Sequence, residues 1–183
     1  YKWSADGTHI YFTAPINGTV QLFDVPVTYP ITATPPAIRQ VTSGDFDVTG
    51  IVGQSKQTLV VSRTDMNHAA ELYTVNLEDG KMAQLTHVND EDYKKISMVK
   101  TERKWVKTTD GKNMLVWVIY PPDFDPAKKY PTLLYCQGGP QSALTQFYSF
   151  RWNFQLMASN GYIVVAPNRR GMPGHGTAWN EEI

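Results

Sequence analysis

"TLLYCQGGPQS" (Thr132–Ser142) decides how this chain is read. An apolar run stops abruptly at Gly-Gly-Pro. Two glycines leave the backbone bare, and a proline then stiffens it. A plain turn, a cradle for a phosphate, or amides aimed at a charge that develops during a reaction would each use such a segment.

The flanking sequence narrows the choice. "TLLYC" is a continuous apolar run, which predicts a strand covered on both faces. In "FYSFRWNFQLMASNG" (Phe147–Gly161), Phe150, Phe154 and Met157 fall at i, i+4 and i+7, one face of a helix, and Asn160-Gly161 is a C-terminal stop. "YIVVAP" (Tyr162–Pro167) reads as a second buried strand. Strand, helix, strand predicts a parallel pair. Both strands then end at one edge of the sheet, so "QGGPQS" and "NRRGMPGHG" (Asn168–Gly176) share the carboxyl edge, where open α/β sheets bind ligands. Upstream, "RKWVKTTDGKNMLVWVIYPP" (Arg103–Pro122) holds two strands around an Asp110-Gly111 hairpin signal, and "PPDFDPAKKYP" (Pro121–Pro131) is a proline-rich loop.

The first half has a different texture. "LFDV" (Leu22–Val25) returns as "LYTV" (Leu72–Val75), and "QVT" (Gln40–Thr42) as "QLT" (Gln84–Thr86). The first pair stands 50 residues apart and the second 44. The difference falls in "PVTYPITATPPA" (Pro26–Ala37), whose prolines mark a surface loop. Runs such as "HIYFTA" and "QTLVVSR" read as short strands, and Asp6-Gly7 and Asp79-Gly80 as tight turns whose two central residues take positive φ. A period near 50 points to β-propeller blades, with a sandwich of hairpins as the alternative. The pattern changes after about Asp92, which divides the chain into residues 1–92 and 93–183. Two repeats cannot close a ring. The chain opens at Tyr1 inside a patterned segment and stops at "WNEEI", where a helix is starting, so a section of a longer protein is expected.

Composition excludes some functions. Seventeen Lys+Arg balance seventeen Asp+Glu in 183 residues, so no global field draws in nucleic acid or an anionic membrane. No apolar run approaches the roughly 20 residues that span a bilayer. The single cysteine, Cys136, forms no internal disulfide and is expected to be a small buried hydrophobe. His9, His68, His87 and His175 have no metal-ligand spacing, so neither metal nor cofactor is expected, and each reads as a loop or surface histidine. Glu91-Asp92 and Glu181-Glu182 read as solvated carboxylates. Nucleotide cradles fail on spacing. There is no G-x-x-x-x-G-K-[ST], and Gly171, Gly174 and Gly176 give G-x-x-G-x-G, the reverse of the dinucleotide order, with no clear helix start behind it. Acyl transfer fits best. A glycine-rich loop after an early strand lets a backbone N–H approach a developing oxyanion, and one such donor lowers a barrier by about 3–4 kcal/mol.

These stretches resemble the prolyl oligopeptidase family of serine peptidases, which includes acylaminoacyl peptidases and dipeptidyl peptidase IV. "YPTLLYCQGGPQS" is similar to the family's strand and His-Gly-Gly-Pro segment. "GYIVVAPNRRGMPGHG" resembles its next strand and N-x-R-G loop, and "TTDGKNMLVWVIYPPDFDP" its entry into the hydrolase domain. The resemblance implies the last blades of a propeller over residues 1–92, then the opening of an α/β-hydrolase over 93–183, in an enzyme that cleaves short peptides with a Ser-Asp-His triad. It implies an oxyanion-hole segment at Gly138 and Gly139, with Gly139 the preferred donor. Gln137 stands where one branch has His and another Tyr, making it a candidate substrate contact. Arg170-Gly171 match the family's Arg-Gly, with Arg170 a loop anchor. Met172-Pro173 and His175 depart from the usual Ser and Tyr. No serine lies in G-x-S-x-G: Ser159 follows Met157, and Ser142 lacks flanking glycines. The 183 residues alone are therefore expected to be inactive. A non-catalytic relative that kept the architecture, lost the triad and serves as a binding protein, or a propeller joined to an unrelated α/β domain, are the other readings. Related enzymes occur in cytoplasm and bacterial periplasm, with the periplasm preferred here. The oligomeric state stays open.

Overall fold

The computed structural model describes residues 1–29, 34–139 and 141–183. It is mostly β-sheet, in three sheets of four strands each.

The first sheet is an antiparallel meander of β1 (Lys2–Trp3), β2 (His9–Ile16), β3 (Thr19–Pro26) and β4 (Arg39–Gln40). The second repeats that plan with β5 (Asp47–Ser55), β6 (Thr58–Asp65), β7 (His68–Asn76) and β8 (Met82–Gln84). The sequence repeat has a physical basis. Phe23 pairs with Gln40, and Tyr73 with Gln84. Just beyond, Thr42 Oγ1 accepts from the Leu22 amide at 2.9 Å, and Thr86 Oγ1 accepts from the Leu72 amide at 2.9 Å. Gln40 Nε2 donates to the Thr42 carbonyl at 2.7 Å, and Gln84 Nε2 to that of Thr86 at 2.8 Å. Each Gln-x-Thr thus turns the chain away from its sheet while supplying an acceptor to the neighbouring strand. The proline-rich link between β3 and β4 contains no helix or strand among its described residues, and residues 30–33 lie outside them.

The two sheets share one core, with Tyr11, Leu22 and Val41 from the first meeting Val48, Leu59, Val61 and Val75 from the second. The turn chemistry differs from the expectation. At Asp6-Gly7 and Asp79-Gly80 only the glycines have positive φ (72° and 71°). The hairpin with two positive-φ residues is Asn17 (46°)-Gly18 (75°), between β2 and β3. Asp6 instead uses its carboxylate, which accepts from Ser4 Oγ at 2.6 Å and from the Thr8 amide at 3.0 Å. These donors hold its pKa down at about 2.

A short helix, α1 (Asp90–Tyr93), leads to the third sheet. Here β9 (Lys100–Lys107) and β10 (Asn113–Tyr120) form the expected hairpin across Asp110-Gly111. After it come β11 (Thr132–Leu134), α2 (Phe154–Ser159), β12 (Ile163–Pro167) and α3 (Thr177–Glu181), with sheet order β11-β12-β10-β9. β11 and β12 are parallel, as the strand-helix-strand pattern predicts, and β12 is antiparallel to β10.

Several expectations need correction. β11 is not covered on both faces. It is three residues long at a sheet edge, Leu134 is 63% exposed, and Cys136 is exposed. An apolar run cannot by itself tell an edge strand from a central one. The strand with a continuous buried run is β10, where all six residues from Leu115 to Tyr120 are buried. Phe150 lies outside the helix and is 89% exposed. α2 starts at Phe154 because Asn153 Oδ1 accepts from the Leu156 amide at 3.0 Å and caps it there. α3 begins directly after Gly176, so a helix does follow the second glycine-rich loop, although it has only five residues. Among the described residues, no helix is long and apolar enough to cross a membrane.

The repeat sheets are joined to the third sheet by turns that reach into it. The Gly18 carbonyl accepts from Trp117 Nε1 at 3.1 Å. Met66, in the β6–β7 turn, packs in the core with Leu115, Trp117, Phe154 and Val164.

Candidate active site

Parallel β11 and β12 release their following loops at the same edge of the sheet. The glycine loop starts where Tyr135 donates its amide to the Val165 carbonyl at 2.8 Å, one residue beyond β11. Gly138 and Gly139 are both exposed, and Gly139 has φ 97°, a conformation that suits a residue without Cβ. Among the described residues, neither glycine amide donates a hydrogen bond. The two glycines, with Tyr135, Gln137, Ser142 and Trp152, line a cleft of about 650 Å³.

The Gln137 side chain is held within the loop. Its Oε1 accepts from Tyr135 Oη at 2.9 Å, and its Nε2 lies 3.4 Å from Ser142 Oγ. Burial raises the Tyr135 pKa, so its hydroxyl stays protonated as a donor. The Tyr135 ring is fixed by edge contacts with Phe154 and Trp152 at 4.9 and 6.0 Å between centroids.

The second loop is tied to the first. Fully buried Asn168 and Leu144 exchange two hydrogen bonds: the Leu144 amide donates to Asn168 Oδ1, and Asn168 Nδ2 donates to the Leu144 carbonyl, both at 2.9 Å. Arg169 Nη2 donates to the Gln137 carbonyl at 3.3 Å. Gln141 Nε2 donates to the Asn180 carbonyl at 3.2 Å. The first sheet joins in as well, with the Asn17 amide donating to the Gly174 carbonyl at 2.9 Å.

Arg170 faces the other way. It pairs with Asp110 in the β9–β10 turn and, through Nη1, with Glu182 Oε2 at 2.6 Å. The Arg170 guanidinium, helped by Thr108, holds the Asp110 carboxyl well below the usual range. Glu182 also pairs with Lys112, so it is not a free solvated carboxylate. Gly171 donates its amide to the Trp179 carbonyl at 2.9 Å. His175 packs edge-on to Trp105 and Trp179, and burial lowers its pKa.

Clefts of similar size lie elsewhere. In one of about 470 Å³ between the repeat sheets, Arg39 Nη2 pairs with Asp24 Oδ2 at 2.7 Å. Among the described residues, no group of three or more His, Cys, Asp and Glu side chains is placed to hold a metal.

Sequence reasoning singled out Gln137, Gly138, Gly139, Arg170 and Gly171, which the structure places on the two loops. It missed Asn168 and Arg169, which connect them, and Tyr135, which holds the Gln137 side chain within the first loop. An asparagine at the exact end of a buried strand was the available signal for Asn168. The Arg-Gly match singles out Arg170, and no comparable signal marks its neighbour Arg169.

Residues 148–183, which run from the segment before α2 to the second loop and α3, match the prolyl oligopeptidase family. That agrees with the resemblance read from residues 130–176. The chain is 45% identical over 174 residues to dipeptidyl-peptidase 5 of Porphyromonas endodontalis, covering 95% of this chain and 24% of that protein. It is 43% identical over 182 residues to dipeptidyl-peptidase 5 of Porphyromonas gingivalis, covering 100% of this chain and 26% of that protein. The fold matches Pyrococcus horikoshii acylaminoacyl peptidase with a TM-score of 0.75 at 24% identity, over 96% of this chain and 26% of that one. The chain thus spans about a quarter of the length of the dipeptidyl-peptidase 5 relatives it matches.

Proposed function

We propose that this chain supplies the oxyanion-hole side of a serine peptidase that cleaves short peptides through an acyl-enzyme. The observation that carries this reading is the exposed Gly138-Gly139 pair, whose amides donate to no acceptor among the described residues, at the carboxyl edge of a parallel strand pair. Amides fixed there stabilise the charge on a tetrahedral intermediate. Gly139, with its positive φ, is the preferred donor. Similarity to proteins named dipeptidyl-peptidase 5 and to an acylaminoacyl peptidase fold supports an exopeptidase of that kind.

In this reading residues 1–92 are closing blades of a propeller, and residues 93–183 open an α/β-hydrolase domain. The repeated Gln-x-Thr geometry supports the first half and the parallel pair supports the second. Arg170 is a loop anchor, consistent with its two carboxylate partners. The nucleophile, acid and base come from sequence other than these 183 residues, since no serine here has an elbow context. The chain alone is therefore inactive.

A second reading, a non-catalytic relative that binds peptides, draws support from Gln137. Its side chain is engaged with Tyr135 and Ser142 instead of being directed solely at the cleft. One experiment separates the two. The full-length protein is assayed with dipeptidyl and N-acyl-aminoacyl anilides and with a fluorophosphonate label, beside the 183-residue chain. Turnover and labelling by the full-length protein alone support the peptidase. Peptide binding without turnover or labelling supports the second reading.

A further inference from the structure

Of the bonds that hold the glycine loop, one reaches it from a charged group on the neighbouring loop: Arg169 Nη2 donates to the Gln137 carbonyl at 3.3 Å. Arg169 is itself constrained. Its Nη1 donates to the Arg170 carbonyl at 2.9 Å, and its own carbonyl accepts from the indole of buried Trp179 at 3.0 Å. The guanidinium is therefore anchored before it reaches across.

The Gln137 carbonyl belongs to the same peptide unit as the Gly138 N–H. That unit is planar and trans, so its N–H points away from its C=O. Fixing the carbonyl fixes the direction of the amide. A cation on the carbonyl also polarises the peptide and strengthens the N–H as a donor. Two consecutive glycines would otherwise leave this backbone free to sample many conformations. Since the Gly138–Gly139 peptide follows directly, its orientation starts from the unit that Arg169 holds.

We propose that Arg169 is the positioning residue of the oxyanion segment, clamping the Gln137–Gly138 peptide so that the glycine amides meet the developing oxyanion. This rests on the oxyanion reading of Gly138-Gly139. Arg169 does not touch the substrate. It differs in role from Arg170, whose guanidinium turns to Asp110 and Glu182.

The test uses the full-length protein and Arg169→Met, Arg169→Gln and Arg169→Lys. It measures kcat and KM for a peptide anilide, the affinity of a peptidyl boronate whose adduct carries the oxyanion, and the affinity of a product peptide. Arg169→Met is expected to lower kcat about 10- to 100-fold. Boronate affinity should fall by the same factor, with KM and product affinity held within about twofold, and Arg169→Lys should recover part of the loss. Should Arg169→Met fail to fold, Arg169→Gln and Arg169→Lys carry the comparison. Unchanged kcat, or equal losses in product and boronate affinity, would overturn the proposal while leaving the peptidase reading standing. A wild-type protein that neither turns over substrate nor binds boronate removes the oxyanion reading, and this inference with it.

Discussion

Asp47 sits where three parts of the molecule meet. It is 2% exposed, and its Oδ1 accepts from the Val20 amide of β3 at 2.8 Å and from the Gln146 amide at 3.2 Å. Burial raises its pKa, and hydrogen bonds from Thr145, Val20 and Gln146 only partly oppose that. A carboxyl whose folded pKa is raised binds its proton more tightly in the native state than in the unfolded one. Its contribution to stability is full below the ordinary value of 3.8 and is lost as pH rises through the folded pKa. Asp47→Asn keeps an acceptor oxygen for both amides. It should remove this pH-dependent loss, read as a flatter dependence of Tm on pH above pH 4. Asp47→Ala leaves the buried Gln146 amide and the half-buried Val20 amide without an acceptor and should cost about 2–3 kcal/mol in denaturant unfolding. If Asp47→Asn and Asp47→Ala are equally destabilised, the carboxylate is not what joins these segments.

At the scale of elements, the two repeat sheets make a paired test. Thr42 and Thr86 accept from equivalent amides, those of Leu22 and Leu72. Thr42 and Leu22 are buried, whereas Thr86 and Leu72 are half-buried. Both threonine-to-valine changes should destabilise, by about 1–3 kcal/mol at Thr42 and less at Thr86, where water can reach the freed amide. A larger loss at Thr86 would contradict the equivalence of the repeats. The Asn17-Gly18 turn is the second element. A Cβ at Gly18 would lie 2.8 Å from Leu115 Cδ2 and 2.9 Å from Trp117 Nε1, on a residue with φ 75°. Gly18→Ala should therefore cost about 2–4 kcal/mol and loosen the seat of the hairpin on the third sheet, seen as altered Trp117 fluorescence. A neutral Gly18→Ala would mean that this contact is not tight.

These elements also show what the sequence makes legible. "LFDV"/"LYTV" and "QVT"/"QLT" are readable because the same strand pairing and the same side-chain acceptor recur, even though the link between the two motifs differs in length. The parallel pair is readable because an apolar run, a helix stop and a second apolar run leave few topologies. Burial of β11 is not readable, because an edge position depends on which strands flank it in space. The start of α2 is set by the Asn153 cap, which competes with the apolar periodicity that includes Phe150. Of the site, the glycine loop announces itself through its backbone. The groups that hold it, Asn168 and Arg169, act through carbonyls and amides of distant residues, and such partners leave no pattern in linear spacing.

Over the whole molecule, three sheets converge on the two loops. The β2–β3 hairpin touches the second loop through Asn17 and Gly174 and touches β10 through Gly18 and Trp117. Asp47 links β3 and β5 to the segment that follows the glycine loop. Asn168 and Arg169 join the two loops to each other. The repeat sheets therefore reach the glycine loop through short chains of hydrogen bonds and packed turns. In the proposed peptidase this ties the propeller to the geometry of the oxyanion hole. The most direct measurement is a crystal structure of the full-length protein with a peptidyl boronate bound. The expected result is a boronate oxygen about 3 Å from the Gly139 amide, within the cleft bounded by Tyr135, Gln137 and Trp152, with Arg169 still on the Gln137 carbonyl. A boronate oxygen held elsewhere, with the Gly138 and Gly139 amides turned away from it, would contradict the account.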